Sequence, residues 1–101
     1  MSWATKYIET LKSGKQVSFR PRGNSMSGRI NSGDLCTIAP INEVDTIQVN
    51  DIVLCKVNGN QYLHLVKAIK GEQYQIGNNR GGINGWITAR SIFGKCINVE
   101  K

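Results

Sequence analysis

Two residues of this chain are of the types that nucleophilic catalysis requires: a serine beside a glycine, and the single histidine of the sequence. Ser25 lies in the segment GNSM (23–26), where Gly23 and Asn24 tolerate unusual backbone angles and favour a tight, exposed loop. His64 lies in YLHLVK (62–67), 39 residues after the serine. A neutral imidazole can accept the proton of a hydroxyl group that lies within about 3 Å. The two residues are therefore a candidate nucleophile and base, although an ordinary turn serine and a buried strand histidine would give the same pattern.

The three cysteines provide no metal site and no obvious redox centre. Cys36, Cys55 and Cys96 form no CxxC pair, and one histidine is too few for the usual zinc ligand sets. Each cysteine lies in an apolar, strand-like segment, so we expect three buried free thiols, which suit the reducing cytoplasm. We predict neither a metal nor another cofactor.

The chain is basic, with a net charge of +6 and a pI near 9.5. Its 13 lysines and arginines are spread along the sequence, and the only local concentration (Lys15, Arg20, Arg22 and Arg29) surrounds the GNSM loop. This pattern favours a solvated basic surface, with an acidic protein partner or nucleic acid as alternatives. No apolar run is long enough to span a bilayer, and residues 1–12 lack the pattern of a secretion signal. We therefore expect a cytoplasmic protein without a membrane partner.

The elements that must position Ser25 and His64 are one helix and a series of short strands. Trp3, Tyr7, Ile8 and Leu11 form one apolar stripe of a helix over residues 3–13, which Ser2 would cap and Gly14 would end. Apolar and β-branched runs then predict strands, separated by glycine- and asparagine-rich turns that include NNRGGING (78–85). Asn58-Gly59 predicts a two-residue hairpin. The predicted strand segments are 16–20, 35–40, 51–57, 61–69, 73–77 and 91–99. The sequence thus predicts one mainly β domain, with an N-terminal helix (1–16) packed on residues 17–101.

Four blocks, in order over residues 17–98, resemble the clan of serine peptidases that holds signal peptidases and LexA-type repressors. GNSMSGRINSGD resembles the nucleophile motif, VNDIVLCKV the Gly-Asp-Ile-Val strand, and YLHLVKAI the strand of the general base. IGNNRGGINGWITARSIFGK resembles the Gly-Asp-Asn-Arg segment and the strand after it. The resemblance implies a twisted, largely antiparallel β fold with a substrate cleft along one edge. A stand-alone chain of this kind is similar to members found in phages and mobile elements.

The resemblance also assigns roles to individual residues. Ser25 matches the nucleophile, and His64 matches the base of the histidine-type members. The backbone N–H groups of Ser25 and Asn24 would hold the oxyanion, and Met26 would line the cleft or pack in the core. The acidic member of Gly-Asp-Asn-Arg is replaced by Asn78 here, so Asn78, Asn79 or Asp34 would have to orient His64.

Other differences from the clan argue against a preprotein signal peptidase and against a self-cleaving repressor. SGR stands where a proline is usual, and Gly23 stands where some signal peptidases carry a hydroxyl. A membrane anchor, a helix-turn-helix domain and an Ala-Gly self-cleavage loop are also missing from the sequence. We therefore predict a serine peptidase-like protein that uses a Ser25–His64 dyad on an extended peptide or protein substrate. The alternative is an inactive module of the same fold that holds a protein partner, or nucleic acid through Arg20, Arg22, Arg29 and Arg80.

Overall fold

The structure is a computed structural model that describes residues 3–41 and 47–101. Within these residues the chain forms one α-helix, a short 3-10 helix (Ala89–Ser91) and a seven-stranded sheet in which every strand pair is antiparallel. The sheet order is β1-β2-β7-β3-β4-β5-β6. The elements are α1 (Thr5–Lys12), β1 (Val17–Phe19), β2 (Leu35–Pro40), β3 (Ile52–Val57), β4 (Asn60–Lys70), β5 (Gln73–Gly77), β6 (Ile83–Thr88) and β7 (Ile92–Glu100). The predicted mainly β class with one N-terminal helix is confirmed.

Strand β6 was not predicted from its residues, because its first three lie in the segment that we interpreted as a turn. Three of the glycines in this region (Gly81, Gly82 and Gly85) are typical of loops, and the turn itself occupies only residues 78–82. Pairing with β5 keeps residues 83–88 extended despite the poor strand propensity of glycine.

The hairpin at Asn58-Gly59 forms as predicted. Val57 pairs with Asn60, so the loop has two residues, and both have positive φ, 51° for Asn58 and 83° for Gly59. Two positive φ values are the requirement of the type I′ turn, which matches the right-handed twist of antiparallel strands. This turn fixes the register of β3 against β4 and hence the position of His64 opposite Val53.

Strand β3 lies near the middle of the sheet and contributes to two hydrophobic cores, one on each face. Ile52 and Leu54 belong to the core beneath α1, whereas Val53, Cys55 and Val57 belong to the core on the other face. This alternation follows from the two-residue period of a strand. Because five of its six side chains are buried, β3 is a rigid support for β4.

Helix α1 packs its apolar stripe on the sheet, and its N-terminus is held by a residue of β4. Ile8 and Leu11 are buried in the core beneath α1, while Trp3 stays half exposed. Gln61 accepts a hydrogen bond from Ala4 N (2.7 Å) and donates one to Thr5 Oγ1 (3.1 Å).

The ends of α1 correspond only in part to the prediction. Gly14 follows the helix with φ of 91°, as expected of a C-terminal glycine. Ser2 lies outside the described residues, and Ala4 occupies the N-cap position without a side-chain cap. Gln61 therefore caps the first turn, because its side chain accepts a backbone N–H group at the start of the helix.

Strand β4 is longer than its neighbour β5, and the difference leaves part of one edge uncovered. Pairing with β5 begins at Leu65 and continues to Lys70, whereas pairing with β3 covers residues 60–65. Residues 60–64 therefore have a strand on one side only within the described chain. His64 is the last residue of this uncovered stretch.

Candidate active site

Ser25 lies in a series of tight turns between β1 and β2. The carbonyl oxygen of Asn24 accepts hydrogen bonds from both the backbone N and the Oγ of Ser27, at 3.2 and 2.8 Å. Ile30 N donates to the carbonyl of Met26 at 2.7 Å. Gly23 has φ of 99°, a conformation that other residues rarely adopt, so the chain can turn sharply just before the serine.

A second loop braces the serine loop. Asn79 donates from its backbone N to the carbonyl of Ser25 (2.9 Å) and from its side chain to the carbonyl of Ser27 (2.7 Å). Asn78 shapes this second loop, because its Oδ1 accepts from the backbone N atoms of Arg80 and Gly82 at 2.8 and 2.9 Å. The Gly-Asn-Asn-Arg segment thus supports the position of Ser25.

Ser25 and His64 meet in the fold. Ser25 Oγ lies 3.3 Å from His64 Nε2, in a partly buried setting. The distance is slightly longer than a good hydrogen bond, as is common for nucleophile–base pairs before a substrate binds. The imidazole is buried, with 7% of the residue exposed. The two side chains that the sequence singled out therefore lie within hydrogen-bond distance of each other.

Two further contacts fix the imidazole of His64. Its Nδ1 lies 2.8 Å from Asn84 Oδ1, and its ring stacks on that of Tyr62 with a centroid distance of 4.8 Å and an interplanar angle of 25°. An amide oxygen can only accept, so the proton of the neutral ring resides on Nδ1. Nε2 then carries the lone pair that faces the Ser25 hydroxyl. This tautomer is the one that a general base requires.

Asn84 is the orienting residue, and sequence reasoning missed it. Ile76 pairs with Gly85 and Gly77 with Ile83, so Asn84 is the extra residue of a β-bulge in β6. Bulges turn a side chain out of the regular alternation and are frequent beside active sites. Gly85 accepts the distortion with φ of 146°. A polar residue followed by glycine within INGWIT was the signal that could have indicated a bulge.

The three residues that we expected to orient His64 have other roles. Asp34 forms an ion pair with Lys101 (3.0 Å) and accepts a hydrogen bond from Asn31 N (2.9 Å). Asn78 and Asn79 shape and brace the loops, as described above. None of the three forms a hydrogen bond with the imidazole within the part of the chain that the structure describes. Asn84 does so because the register of β6, which the sequence does not reveal, directs it there.

Burial lowers the pKa of His64 below the ordinary value of 6.5, and the hydrogen bond with Asn84 opposes this effect only in part. The imidazole loses hydration in its charged form, and an amide supplies no negative charge to replace it. His64 is therefore neutral at pH 7 and able to accept a proton.

The backbone beside Ser25 has two donors that are unpaired among the described residues. Within residues 3–41 and 47–101, the N–H groups of Asn24 and Ser25 have no hydrogen-bond acceptor. Exposed backbone donors next to a nucleophile are the usual components of an oxyanion hole. Met26 is buried in the core beneath α1 and also lines the cavity beside Ser25, which combines its two predicted roles.

A groove of about 450 Å³ leads to Ser25 and His64. Its lining comes from the N-terminal segment, from the chain between Phe19 and Asn31, and from the uncovered stretch of β4. We call this cavity the aromatic groove; its lining residues are Trp3, Tyr7, Phe19, Arg20, Pro21, Arg22, Gly23, Ser25, Met26, Ile30, Asn31, Gln61, Tyr62, Leu63 and His64. Its volume is typical of cavities that bind small ligands or peptide side chains.

The four arginines predicted as a basic surface have different neighbours in the structure. Arg20 and Arg22 line the aromatic groove. Arg29 donates to the carbonyl of Asn50 (3.2 Å) and borders a different, shallow depression, and Arg80 lies in the exposed turn before β6. Of the four, Arg20 and Arg22 are the ones that line the groove at Ser25.

Comparisons with known proteins leave the family open. No family model matches the chain, and no curated protein matches its sequence. The resemblance to signal peptidases and LexA-type repressors therefore rests on the four sequence blocks and stays a prediction.

The cysteines and the helix lie apart from this chemistry. All three cysteines are free thiols; Cys36 and Cys55 are buried as expected, but Cys96, in the middle of β7, is partly exposed. Burial raises the pKa of Cys36 and of Cys55 to about 12, so neither is a nucleophile at neutral pH. Among the described residues, no helix has the length and apolar character that crossing a bilayer requires.

Proposed function

We propose that the chain is a serine peptidase that cleaves a peptide bond in an extended segment, with Ser25 as nucleophile and His64 as general base. The observation that carries the proposal is the distance of 3.3 Å between Ser25 Oγ and His64 Nε2, with Nδ1 of the same ring bound to Asn84. A nucleophile, a base and a group that orients the base are the components that serine hydrolysis requires.

The reaction would follow the two steps of acyl transfer. Ser25 Oγ attacks the peptide carbonyl as its proton passes to His64 Nε2, and the oxyanion accepts hydrogen bonds from the backbone N–H groups of Ser25 and Asn24. The C–N bond then breaks, and His64 returns the proton to the leaving amine. Water attacks the acyl-enzyme and gives a proton to His64, which passes it to Ser25 Oγ as the ester bond breaks.

The uncovered edge of β4 supports an extended substrate. Hydrogen-bonded and non-bonded pairs alternate in an antiparallel hairpin, starting from the bonded pair Val57–Asn60 that closes the turn. The backbone groups of Gln61 and Leu63 therefore point away from β3, toward the aromatic groove. The carbonyl of Gln61 accepts a hydrogen bond from Trp3 Nε1 at 3.2 Å, as this geometry requires. A peptide strand added at Leu63 would have its carbonyl groups near Ser25.

The experiment that tests the proposal is cleavage of a mixed library of extended peptides, followed by mass spectrometry. We expect the wild-type chain to cleave a subset, and Ser25→Ala and His64→Ala each to remove that activity with unchanged far-UV circular dichroism. Ser13→Ala, which changes an exposed serine at the end of α1, is the matched control and should keep the activity. Cleavage that survives in Ser25→Ala would contradict the proposal.

A second candidate function is peptide binding without turnover. The observation that favours it is the amide of Asn84, because an amide cannot stabilise a charged imidazolium as a carboxylate does, and losing that role in a serine triad costs about 10⁴ in rate. In this case the Ser25→Ala chain would bind the same peptides as the wild type, and neither would cleave them. If nucleic acid were the ligand instead, retention would fall steeply with salt.

We place this activity in the cytoplasm. Three free thiols, two of them fully buried, suit a reducing compartment. The substrate would then be a cytoplasmic protein or peptide.

A further inference from the structure

The aromatic groove has an apolar wall of aromatic side chains, part of which is exposed and not buried in a core. Trp3, Tyr7 and Phe19 form a continuous cluster, in which Tyr7 stacks on Phe19 at 4.3 Å and Trp3 contacts Phe19 edge to face at 5.6 Å. Phe19 is buried, but Trp3 leaves 50% of its surface exposed and Tyr7 is only partly covered. Exposed aromatic rings grouped in a cavity are typical of binding sites, because they release much apolar surface from water when a ligand covers them.

Leu63 and Met26, which belong to the core beneath α1, continue this wall toward Ser25. Tyr62 lines the groove from the other face of the sheet, where its ring stacks on His64. A side chain close to the scissile bond would therefore meet rings and aliphatic groups. The cavity, at about 450 Å³, is far larger than a small side chain such as that of alanine would fill.

The polar part of the groove carries charge of one sign. Arg20 and Arg22 line it, and no aspartate or glutamate does so among the described residues. Arg20 is anchored to the carbonyl of Gly33 at 2.7 Å. Arg22 is exposed and has no ion-pair partner within residues 3–41 and 47–101. A carboxylate on the ligand would neutralise these guanidinium groups and would be steered to the groove by the net charge of +6.

We propose that the aromatic groove selects extended peptides with a large apolar side chain next to the scissile bond and an acidic residue within a few positions of it. The inference rests on the proposed function, since it names the substrate class of the same site. The apolar side chain packs against Trp3 and Tyr7, and the carboxylate pairs with Arg22. Peptides with a small residue next to the scissile bond leave the aromatic rings exposed to water, and peptides with a basic residue in place of the acidic one bring two positive charges together. Both kinds of peptide therefore bind more weakly.

The test uses the full chain with Ser25→Ala, so that binding is measured without cleavage. Four fluorescent peptides of one length carry phenylalanine or alanine at one position and glutamate or glutamine two positions away. We expect the peptide with phenylalanine and glutamate to bind best, and its affinity to fall about tenfold when phenylalanine becomes alanine, since a buried aromatic side chain contributes at least that factor.

Two further variants assign the selectivity to the groove. Trp3→Ala should reduce the preference for phenylalanine, whereas Trp86→Ala, which removes a similarly exposed indole from β6, should not. Arg22→Gln should reduce the preference for glutamate and its salt dependence, whereas Arg90→Gln, the same charge change outside the groove, should leave both unchanged. Because each preference is a ratio between two peptides, a general loss of fold cannot imitate these results.

The outcomes separate this inference from the proposed function. Selective binding without cleavage by the wild-type chain would support the substrate class and contradict the peptidase. Cleavage by the wild-type chain with equal affinity for all four peptides, or with a preference for alanine or glutamine, would overturn the inference and leave the peptidase standing. Binding of none of the peptides would also overturn the inference.

Discussion

Asn84 Oδ1 lies 2.8 Å from Nδ1 of His64 and is presented to it by a bulge in the edge strand β6. The contact joins two strands that are not neighbours, because β5 lies between β4 and β6 in the sheet. The base of the candidate dyad is thus oriented by an amide where a charged carboxylate would hold the protonated ring more strongly.

A carboxylate in place of this amide should change the pH dependence of cleavage. Burial lowers the pKa of His64 below 6.5, so the wild-type rate should stay constant near neutral pH and fall only as the pH drops through that lower pKa. In Asn84→Asp the nearby negative charge favours imidazolium and raises the pKa, which moves the acid limb to higher pH. We expect kcat on the plateau to rise roughly tenfold or more.

The measurement is kcat/KM across the acid and neutral range, with Asn78→Asp as the control. Asn78 stands where the resembling family has its acidic residue, and its Oδ1 accepts two backbone N–H groups that a carboxylate would also accept. We expect Asn78→Asp to leave the acid limb close to that of the wild type. A shift in the Asn78 variant without one in the Asn84 variant would contradict the role given to Asn84.

The brace between the two loops should affect turnover more than stability. Asn79→Ala removes the side-chain hydrogen bond to the carbonyl of Ser27 (2.7 Å), while the backbone bond to Ser25 can remain. We expect a loss of about 0.5–1.5 kcal/mol in the free energy of unfolding, and a fall in kcat as the position of Ser25 becomes less fixed. Steady-state kinetics and urea unfolding measure the two effects. Asn98→Ala, an exposed asparagine on β7, is the control, and an equal loss of kcat there would refute the bracing role.

The close approach of β7 to β2 should make one glycine sensitive to substitution. A Cβ on Gly94 would lie 2.6 Å from the carbonyl oxygen of Ala39 and 2.7 Å from Ile38 Cγ2. Gly94→Ala must therefore shift the backbone, and we expect a loss of about 1–3 kcal/mol in the free energy of unfolding in urea. Ile97→Ala, at a half-exposed position of the same strand, should change it far less. Equal stability of the two variants would show that the sheet yields at this point.

The thiols should differ in reactivity according to their burial. Iodoacetamide reacts with thiolates, and the pKa values of about 12 for Cys36 and Cys55 leave almost no thiolate at pH 8. Cys96 is partly exposed and should be alkylated first in the folded chain, as mass spectrometry of digested samples would reveal. Labelling of Cys55 before Cys96 would indicate that the core opens more readily than its packing implies. All three should react in denaturant.

The predicted elements came from local signals, and most of them formed where those signals were strong. The dipeptide Asn58-Gly59 strongly favours the hairpin turn. In the apolar runs of β2 to β5 and β7, the apolar residues do not recur at the spacing of a helix. Strand β6 was missed because glycines hide it, and only its pairing with β5 keeps it extended.

The sequence predicted the two reactive residues of the candidate site but not the residue that orients His64. Ser25 could be named from its GNSM loop and the motif that it resembles, and His64 because it is the only histidine, but the residue that orients His64 depends on a bulge in a strand 20 residues further on. Asp34 could not be excluded from that role by sequence, since its ion pair with Lys101 joins positions 67 residues apart. Local patterns indicate which groups could react, whereas long-range register decides which groups meet.

Because Trp3 and Tyr7 of the N-terminal segment line the aromatic groove, and Gln61 of β4 holds the first turn of α1, occupancy of the groove and docking of the helix are thermodynamically linked. A bound ligand would slow amide exchange in the helix. Any change that undocks the helix would lower the affinity for the ligand by the same factor by which the ligand favours docking. Amide exchange in the first helical turn would therefore report ligand binding without any peptide cleavage.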